Sequence, residues 1–406
     1  MTEAVIVSVA RSAIGRAYKG SFKDMRGDDL LTQIAGAALA AVPELDPRTI
    51  EDIMVGCAQP AGEQGYNIGR MLALQLGLDG VPGTTVHRYC ASSLQTTRMA
   101  FHAIKAGEGH VFLSGGVETV SRFAFGKSDG MPDTKNPHYA DAMARTLEHG
   151  QDANWSWSDP RDRGDLPDIY MAMGDTAENV AQFRSVSRRA QDEFAVRSQN
   201  LTEAAIARGF FRTDITPVTL PDGTVVSTDD GPRAGVTIEA MEALNPVFRP
   251  HGTVTAGNCC PLNDGAAAVV IMSDVRAAEL GLTPLARIVS TGVSALSPEI
   301  MGLGPVGAVR SALQSAKMSI SDIDILEINE AFAAQVLPAV DDIGIDIDRV
   351  NVNGGAIALG HPFGMTGARM TTTAIHALQE RDEQFAIETM CTAGGQGMAL
   401  VLERLS

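Results

Sequence analysis

Four short stretches of the chain concentrate residue types that do chemistry. The first, Thr84-Thr85-Val86-His87-Arg88-Tyr89-Cys90-Ala91-Ser92-Ser93-Leu94, reads as a strand ending at Cys90 with a helix beginning at once. A thiol there feels unpaired backbone N–H groups and a partial positive charge, which favour thiolate over thiol. The competing reading is one more buried apolar cysteine. The second stretch, Asn351 to Gly367, holds His361 in a loop dense with glycine, and Pro362 restricts that histidine to extended conformations. A phosphate-binding loop is the rival there, but the Walker pattern with its lysine is absent. The third is Thr389-Met390-Cys391-Thr392-Ala393-Gly394-Gly395-Gln396-Gly397. A cysteine closes a strand, and the following turn offers N–H donors able to hold an oxyanion; a tight hairpin with an incidental cysteine is the alternative. The fourth, Glu327-Ile328-Asn329-Glu330, runs a strand into polar residues at its C-terminal end, where α/β sheets gather ligands. Glu330 could equally cap a helix.

Short β-branched runs alternating with helix-like stretches must position these groups, which predicts an α/β fold with largely parallel, buried strands. Strands are expected at Ala4–Val9, Asp52–Val55, Thr84–Arg88, His110–Leu113, Ala267–Met272, Leu285–Ser290, Ile323–Ile328 and Phe385–Cys391. Helices are expected at Asp28–Ala41, Ser92–Ala106, Arg188–Arg208, Val306–Lys317 and Gly367–Arg381. Two segments look like copies of one unit. Strand Thr85–Tyr89, a helix and strand His110–Leu113 are echoed by strand Arg349–Val352, a helix and strand Phe385–Met390, each followed by a Gly-Gly pair. Between the copies, from about Ser121 to Pro246, the chain is polar and turn-rich and holds both tryptophans, Trp155 and Trp157. So long an irregular segment reads as a functional lid.

Composition removes several function classes. With 406 residues, 45% hydrophobic, the chain has ample material for two or three cores, which excludes disorder as the dominant state. The charge of 32 − 49 = −17 argues against a general nucleic-acid or anionic-membrane binder. Five cysteines (Cys57, Cys90, Cys259, Cys260, Cys391) show no CxxC pair and no even count, so neither structural zinc nor a disulfide framework is expected. Such a chain suits a reducing, cytoplasmic compartment. Neither a signal peptide, a membrane span nor a peroxisomal tripeptide is expected.

The four stretches, with Gly115-Gly116-Val117-Glu118-Thr119-Val120-Ser121, Thr253-Val254-Thr255-Ala256-Gly257-Asn258 and Asn263-Asp264-Gly265-Ala266-Ala267-Ala268, resemble the thiolases in type and order over nearly the whole chain. The resemblance implies a duplicated α/β/α/β/α five-layered core with an inserted loop domain. The halves would be residues 1–120 with 247–273, and 274–406, and the loop domain 121–246. It also implies that Cys90 is the acylated nucleophile, His361 its activating base and Cys391 the second acid/base. Asn329 with His361 would hold a water forming one oxyanion site. Backbone N–H groups of Cys90 and Ala393, with Gly394 beside them, would form the other. Acyl-CoA and CoA are then the small-molecule substrates, CoA acting as co-substrate with no metal or prosthetic group, and a homodimer or homotetramer is expected. Physics agrees: thioester exchange needs a polarisable nucleophile that also leaves well, and one acyl-cysteine shared by two half-reactions predicts ping-pong kinetics.

Some positions depart from the commonest pattern. His87 stands where relatives often carry Asn or Asp, Ala393 where glycine is usual, and Cys260 where a serine often touches the pantetheine arm. Ala256 and Cys260 are expected along that arm. Met173, Phe248 and Phe332 resemble pocket-wall positions, and Arg188, Arg189 and Arg233 are candidates for the CoA phosphates. Ser121-Arg122-Phe123-Ala124-Phe125 replaces the Met-Ala-Pro-His motif of short-chain acetoacetyl-CoA enzymes. That favours degradative 3-ketoacyl-CoA thiolysis, as in fatty-acid β-oxidation, over biosynthetic acetyl-CoA acetyltransfer. Two readings of other kinds are a decarboxylating ketosynthase, which Cys391 and Asn329-Glu330 disfavour, and a silent lipid carrier, which retention of the four catalytic candidates disfavours.

Overall fold

The computed structural model describes residues 2–152 and 155–406; Met1, Ala153 and Asn154 lie outside the described residues. The elements that build the site are, in chain order, β1 (Ala4–Arg11), α1 (Gly27–Ala40), β2 (Asp52–Gly56), β3 (Gly83–Val86), α2 (Ser92–Ala106), β4 (Val111–Thr119), α3 (Met173–Phe183), α4 (Arg188–Arg208), β5 (Asn263–Ser273), β6 (Ala286–Ala295), α5 (Gly304–Ala316), β7 (Ile325–Ile328), α6 (Ala333–Ile343), α7 (Thr366–Arg381), β8 (Phe385–Thr392) and β9 (Gln396–Arg404).

The strands hydrogen-bond in the order β7-β8-β9-β6-β1-β5-β4-β2-β3. The halves of this sheet meet at β1 and β6, where only Val5 with Arg287 and Ile6 with Ala286 are paired. Reading outward from that seam, β1, β5, β4 and β2 of the first half correspond to β6, β9, β8 and β7 of the second. Helices α2 and α7 pack on each other between the two half-sheets, α1 covers β1, β4 and β5 from outside, and α5 covers β6, β8 and β9. The result is the α/β/α/β/α stack that the duplicated sequence implies. Coverage on both faces explains the composition: every residue of β5 is buried, so apolar side chains run continuously along it without alternation.

Two sequence expectations are corrected here. The sheet is mixed: β2 runs parallel to β3 and β4, and β7 to β8, but β1/β5, β4/β5, β8/β9, β6/β9 and β1/β6 are antiparallel. Helix layers bury both faces whatever the strand direction, so apolar runs do not report direction. The expected strand at Arg349–Val352 is a short 3-10 turn, Ile347–Arg349, followed by a single bridge between Val350 and Leu326. Arg349, the last residue of that turn, donates from its side chain to the Ile323 carbonyl at 3.1 Å.

The central layer places the chemistry. The N-terminal ends of α2 and α7 abut, and the Ala368 N–H donates to Ser93 Oγ at 2.9 Å. A Cβ on Gly367 would lie 2.3 Å from the Leu94 nitrogen, so only glycine permits this approach. Gly116 meets the Gly364 carbonyl in the same way, a Cβ there falling 1.9 Å from the oxygen. These contacts bring together the loop before α2, which ends in Cys90, and the loop before α7, which holds His361.

Candidate active site

Cys90 sits in a tight turn, Tyr89–Ala91, between β3 and α2. Tyr89 adopts φ 42°, a left-handed conformation unfavourable for a bulky residue and stable only where neighbours over-determine it. Ser92 does so, donating from Oγ to the Tyr89 carbonyl at 2.6 Å and accepting from the Arg88 N–H at 2.9 Å. The sulfur opens into a cavity of about 720 Å³ whose wall includes Tyr89, Met173, Phe363, Ala393 and Gly394. Burial pushes the Cys90 thiol well up, the Cys391 sulfur adds to this, and the N–H groups of Cys90 and Ala393 oppose it. Desolvation thus opposes the pull toward thiolate that a helix start exerts. Two backbone donors nevertheless converge on its sulfur.

The imidazole of His361 is fixed at both nitrogens. Thr366 Oγ1 donates to the Pro362 carbonyl at 2.7 Å, so its lone pair receives the His361 Nδ1–H at 2.6 Å. This leaves Nε2 as the unprotonated nitrogen, 3.3 Å from the amide nitrogen of Asn329. Asn329 Oδ1 is buried with no partner among the described residues. Burial, aided by Arg369, holds the His361 pKa down to about 3, so the ring is neutral and able to accept a proton. The His361 N–H donates to Asn263 Oδ1 at 3.0 Å, and Phe363 carries the same loop into the Cys90 cavity.

Cys391 lies near the end of β8 opposite Gly397 of β9. Gly394 and Gly395, at φ 82° and 77°, make the hairpin turn, so the hairpin and the donor-bearing loop are one structure. Gln335 of α6 donates from Nε2 to the Cys391 sulfur at 2.7 Å. Burial pushes this thiol up to about 11, against that hydrogen bond, so it holds its proton at neutral pH. Met301, Phe332, Met173, Cys259 and Cys260 pack with it in one apolar nest.

Glu118 ties these loops together from beneath. Its carboxylate accepts from the N–H of Ala58 at 2.8 Å and of Gly364 at 3.0 Å, from Gln64 at 2.9 Å, and from the Cys57 thiol at 3.7 Å. Burial pushes Glu118 up to about 7 from 4.5. Between those values the folded protein holds a proton that the unfolded chain releases, so this group's contribution to stability is complete below the lower value and is lost as pH rises to the upper one. Glu118→Gln is accordingly expected to flatten the pH dependence of the unfolding midpoint between about pH 4.5 and 7. An unchanged slope would contradict the assignment.

The remaining sequence candidates divide. Met173 lines the cavity; Phe248 and Phe332 stack edge-to-face at 5.9 Å; and Cys260 lies within electrostatic reach of Cys90 and Cys391. Ala256 is exposed on the turn before Asn258. Arg188 is largely engaged internally, its Nε by Asp192 at 2.6 Å and its Nη2 by the carbonyls of Met241 and Leu244. Arg189 is exposed but shared by Glu193 and Glu242, whereas Arg233 is exposed and in no ion pair among the described residues. Glu330 does cap a helix start, that of the short helix Ala356–Leu359, through the Ile357 N–H. It is buried and accepts from Ser198, Asn351 and the Ile357 N–H, tying α4 to the His361 loop. Gln335, Thr366 and Lys135 escaped the sequence reading; only the i, i+5 spacing of His361 and Thr366 across a helix start hints at their partnership.

The family model described as Thiolase, N-terminal domain matches residues 4–275, and that described as Thiolase, C-terminal domain matches 282–404. The chain is 42% identical to the beta-ketoadipyl-CoA thiolase of Acinetobacter baylyi and 41% identical to the 3-ketoacyl-CoA thiolase of Serratia proteamaculans, each over 100% of both chains. Among solved structures it is similar to the dimeric peroxisomal thiolase of Saccharomyces cerevisiae, with TM-score 0.88, 34% identity and coverage of 99% of this chain and 97% of the other. With both halves matched and two thiols meeting at the abutting helix ends between them, the chain belongs to the thiolase family and is an acyltransferase.

Proposed function

We propose that the protein cleaves 3-ketoacyl-CoA with CoA, giving acetyl-CoA and a shortened acyl-CoA through an acyl-Cys90 intermediate. The observation that carries this reading is that Cys90, at the abutting starts of α2 and α7, stands in the wall of one large cavity together with Ala393 and Gly394 of the Cys391 hairpin. In the first half-reaction the Cys90 proton passes to His361 Nε2 and sulfur attacks the ketone carbon. The bond to the α-carbon then breaks, and acetyl-CoA leaves as an enolate. Protonated Nε2 and Asn329 face one oxyanion, and the paired backbone donors hold the other. The Cys391 thiol delivers its proton to the enolate carbon. In the second half, Cys391 thiolate takes the proton of incoming CoA, whose sulfur displaces Cys90, and His361 returns its proton to the departing thiolate.

The degradative direction is supported by the missing short-chain motif at Ser121–Phe125 and by a cavity far larger than an acetyl group. Two side-chain thiols and an imidazole complete this cycle, with CoA as co-substrate and no metal or prosthetic group. Free thiols at all five cysteines suit a cytoplasmic, reducing setting, and we expect a homodimer or a dimer of dimers, as the yeast relative's description as dimeric suggests. Among the described residues no helix is long and apolar enough to cross a membrane.

Initial rates of thiolysis, measured while both 3-ketoacyl-CoA and CoA are varied, test the scheme. Parallel double-reciprocal lines are expected from an acyl-enzyme that outlives release of acetyl-CoA. Intersecting lines, showing that both substrates must be bound together, would contradict it.

A further inference from the structure

The wall of the Cys90 cavity is of mixed character. Ile169, Met171, Met173 and Phe363 make it apolar in part, and the lid also supplies the polar Ser128, Asp129, Thr134, Lys135 and Tyr170. A plain alkyl chain can lie against the apolar part of that wall, but it leaves the polar groups without a partner.

Lys135 is placed with care. Its Nζ lies over the Tyr170 ring, 5.5 Å from the centroid, and the Tyr170 hydroxyl accepts the Asn136 N–H at 2.9 Å, so the ring supports both the ammonium and the backbone that carries it. Asp129, the carboxylate in the same wall, is committed elsewhere. It accepts from Gln59 Nε2 at 2.9 Å, its own N–H donates to Gln59 Oε1 at 3.0 Å, and the Tyr89 phenol also bonds it. Among the described residues Lys135 makes no ion pair. On a chain with 49 acidic against 32 basic residues, an unpaired, oriented cation in the wall of the cavity that holds the nucleophile has the chemistry of a carboxylate receptor.

We propose that Lys135 receives a carboxylate at the far end of the acyl chain, making 3-keto dicarboxylic acyl-CoA thioesters the preferred substrate class, with Tyr170 positioning the cation. This rests on the thiolysis reading of Cys90. The test compares kcat/KM for a 3-keto dicarboxylic acyl-CoA with that for the monocarboxylic 3-ketoacyl-CoA of equal chain length, in the unaltered protein, Lys135→Met and Lys135→Arg. Taking the ratio cancels any contact of Lys135 with the CoA moiety common to both. The ratio is expected to favour the dicarboxylic substrate in the unaltered protein, to fall roughly fivefold or more in Lys135→Met, and to recover in Lys135→Arg. A ratio at or below one in the unaltered protein, or one that Lys135→Met leaves unchanged, overturns the proposal while thiolysis stands. No turnover of either substrate by the unaltered protein overturns both readings together.

Discussion

Exchange of Cys90 for serine is expected to lower thiolysis by about a thousandfold or more while leaving the fold intact. The exchange is nearly isosteric, and the Ser92 hydrogen bonds that hold Tyr89 at φ 42° stay in place, so the turn has no reason to rearrange. What is lost is electronic. The neutral His361, held near pKa 3 by burial, can accept a thiol proton during attack but is a poor base toward an alcohol. An oxygen ester is also a worse acyl donor to CoA than a thioester, so the second half-reaction suffers as well. Steady-state rates with circular dichroism as a fold control measure this directly, and retention of even a tenth of the activity would remove Cys90 from the mechanism.

The second large effect separates the two thiols. Cys391→Ser is expected to accept an acyl group onto Cys90 from a simple acyl-CoA, yet to slow carbon–carbon cleavage by about a hundredfold or more. The reason lies in the thiol's setting: with its pKa pushed up to about 11 and Gln335 2.7 Å from its sulfur, Cys391 holds a proton at neutral pH and can deliver it to carbon. A serine hydroxyl in the same place is a far weaker acid. Acyl-CoA exchange and 3-ketoacyl-CoA thiolysis should therefore diverge in this variant. Equal losses in both assays would make Cys391 a packing residue of its apolar nest instead.

Much of the site was legible because its backbone demands are extreme. Tight approaches at Gly116 and Gly367, and left-handed turns at Gly394 and Gly395, permit little but glycine, and so mark the Cys90, His361 and Cys391 loops in the sequence. The duplication was legible for the same reason, since each half carries a Gly-Gly pair by equivalent strands, inside β4 at Gly115-Gly116 and just beyond β8 at Gly394-Gly395. Side chains that act at a distance were not. Gln335 lies 56 positions from the sulfur it touches, and in sequence it is one polar residue on a helix. The internal engagement of Arg188 was not legible either, because the carbonyls of Met241 and Leu244 that engage it are invisible until the lid is folded. Strand direction was illegible too: β5 and β9, antiparallel members of a sheet covered on both faces, carry the same unbroken apolar runs as parallel strands. Lys135 was hidden by its setting, one lysine in a polar segment whose neighbours, Tyr170 and Asp129, are fixed only by folding.

Everything in the proposed cycle turns on where the acyl group rests between the two half-reactions. Rapid acid quenching of the protein with 3-ketoacyl-CoA in the absence of free CoA, followed by proteolysis and mass spectrometry, reads that position. The predicted result is a shortened acyl group carried solely on the peptide containing Cys90, in stoichiometric amount, and discharged on addition of CoA. An acyl group found on Cys391 or Cys260, or no covalent adduct while turnover proceeds, would contradict it.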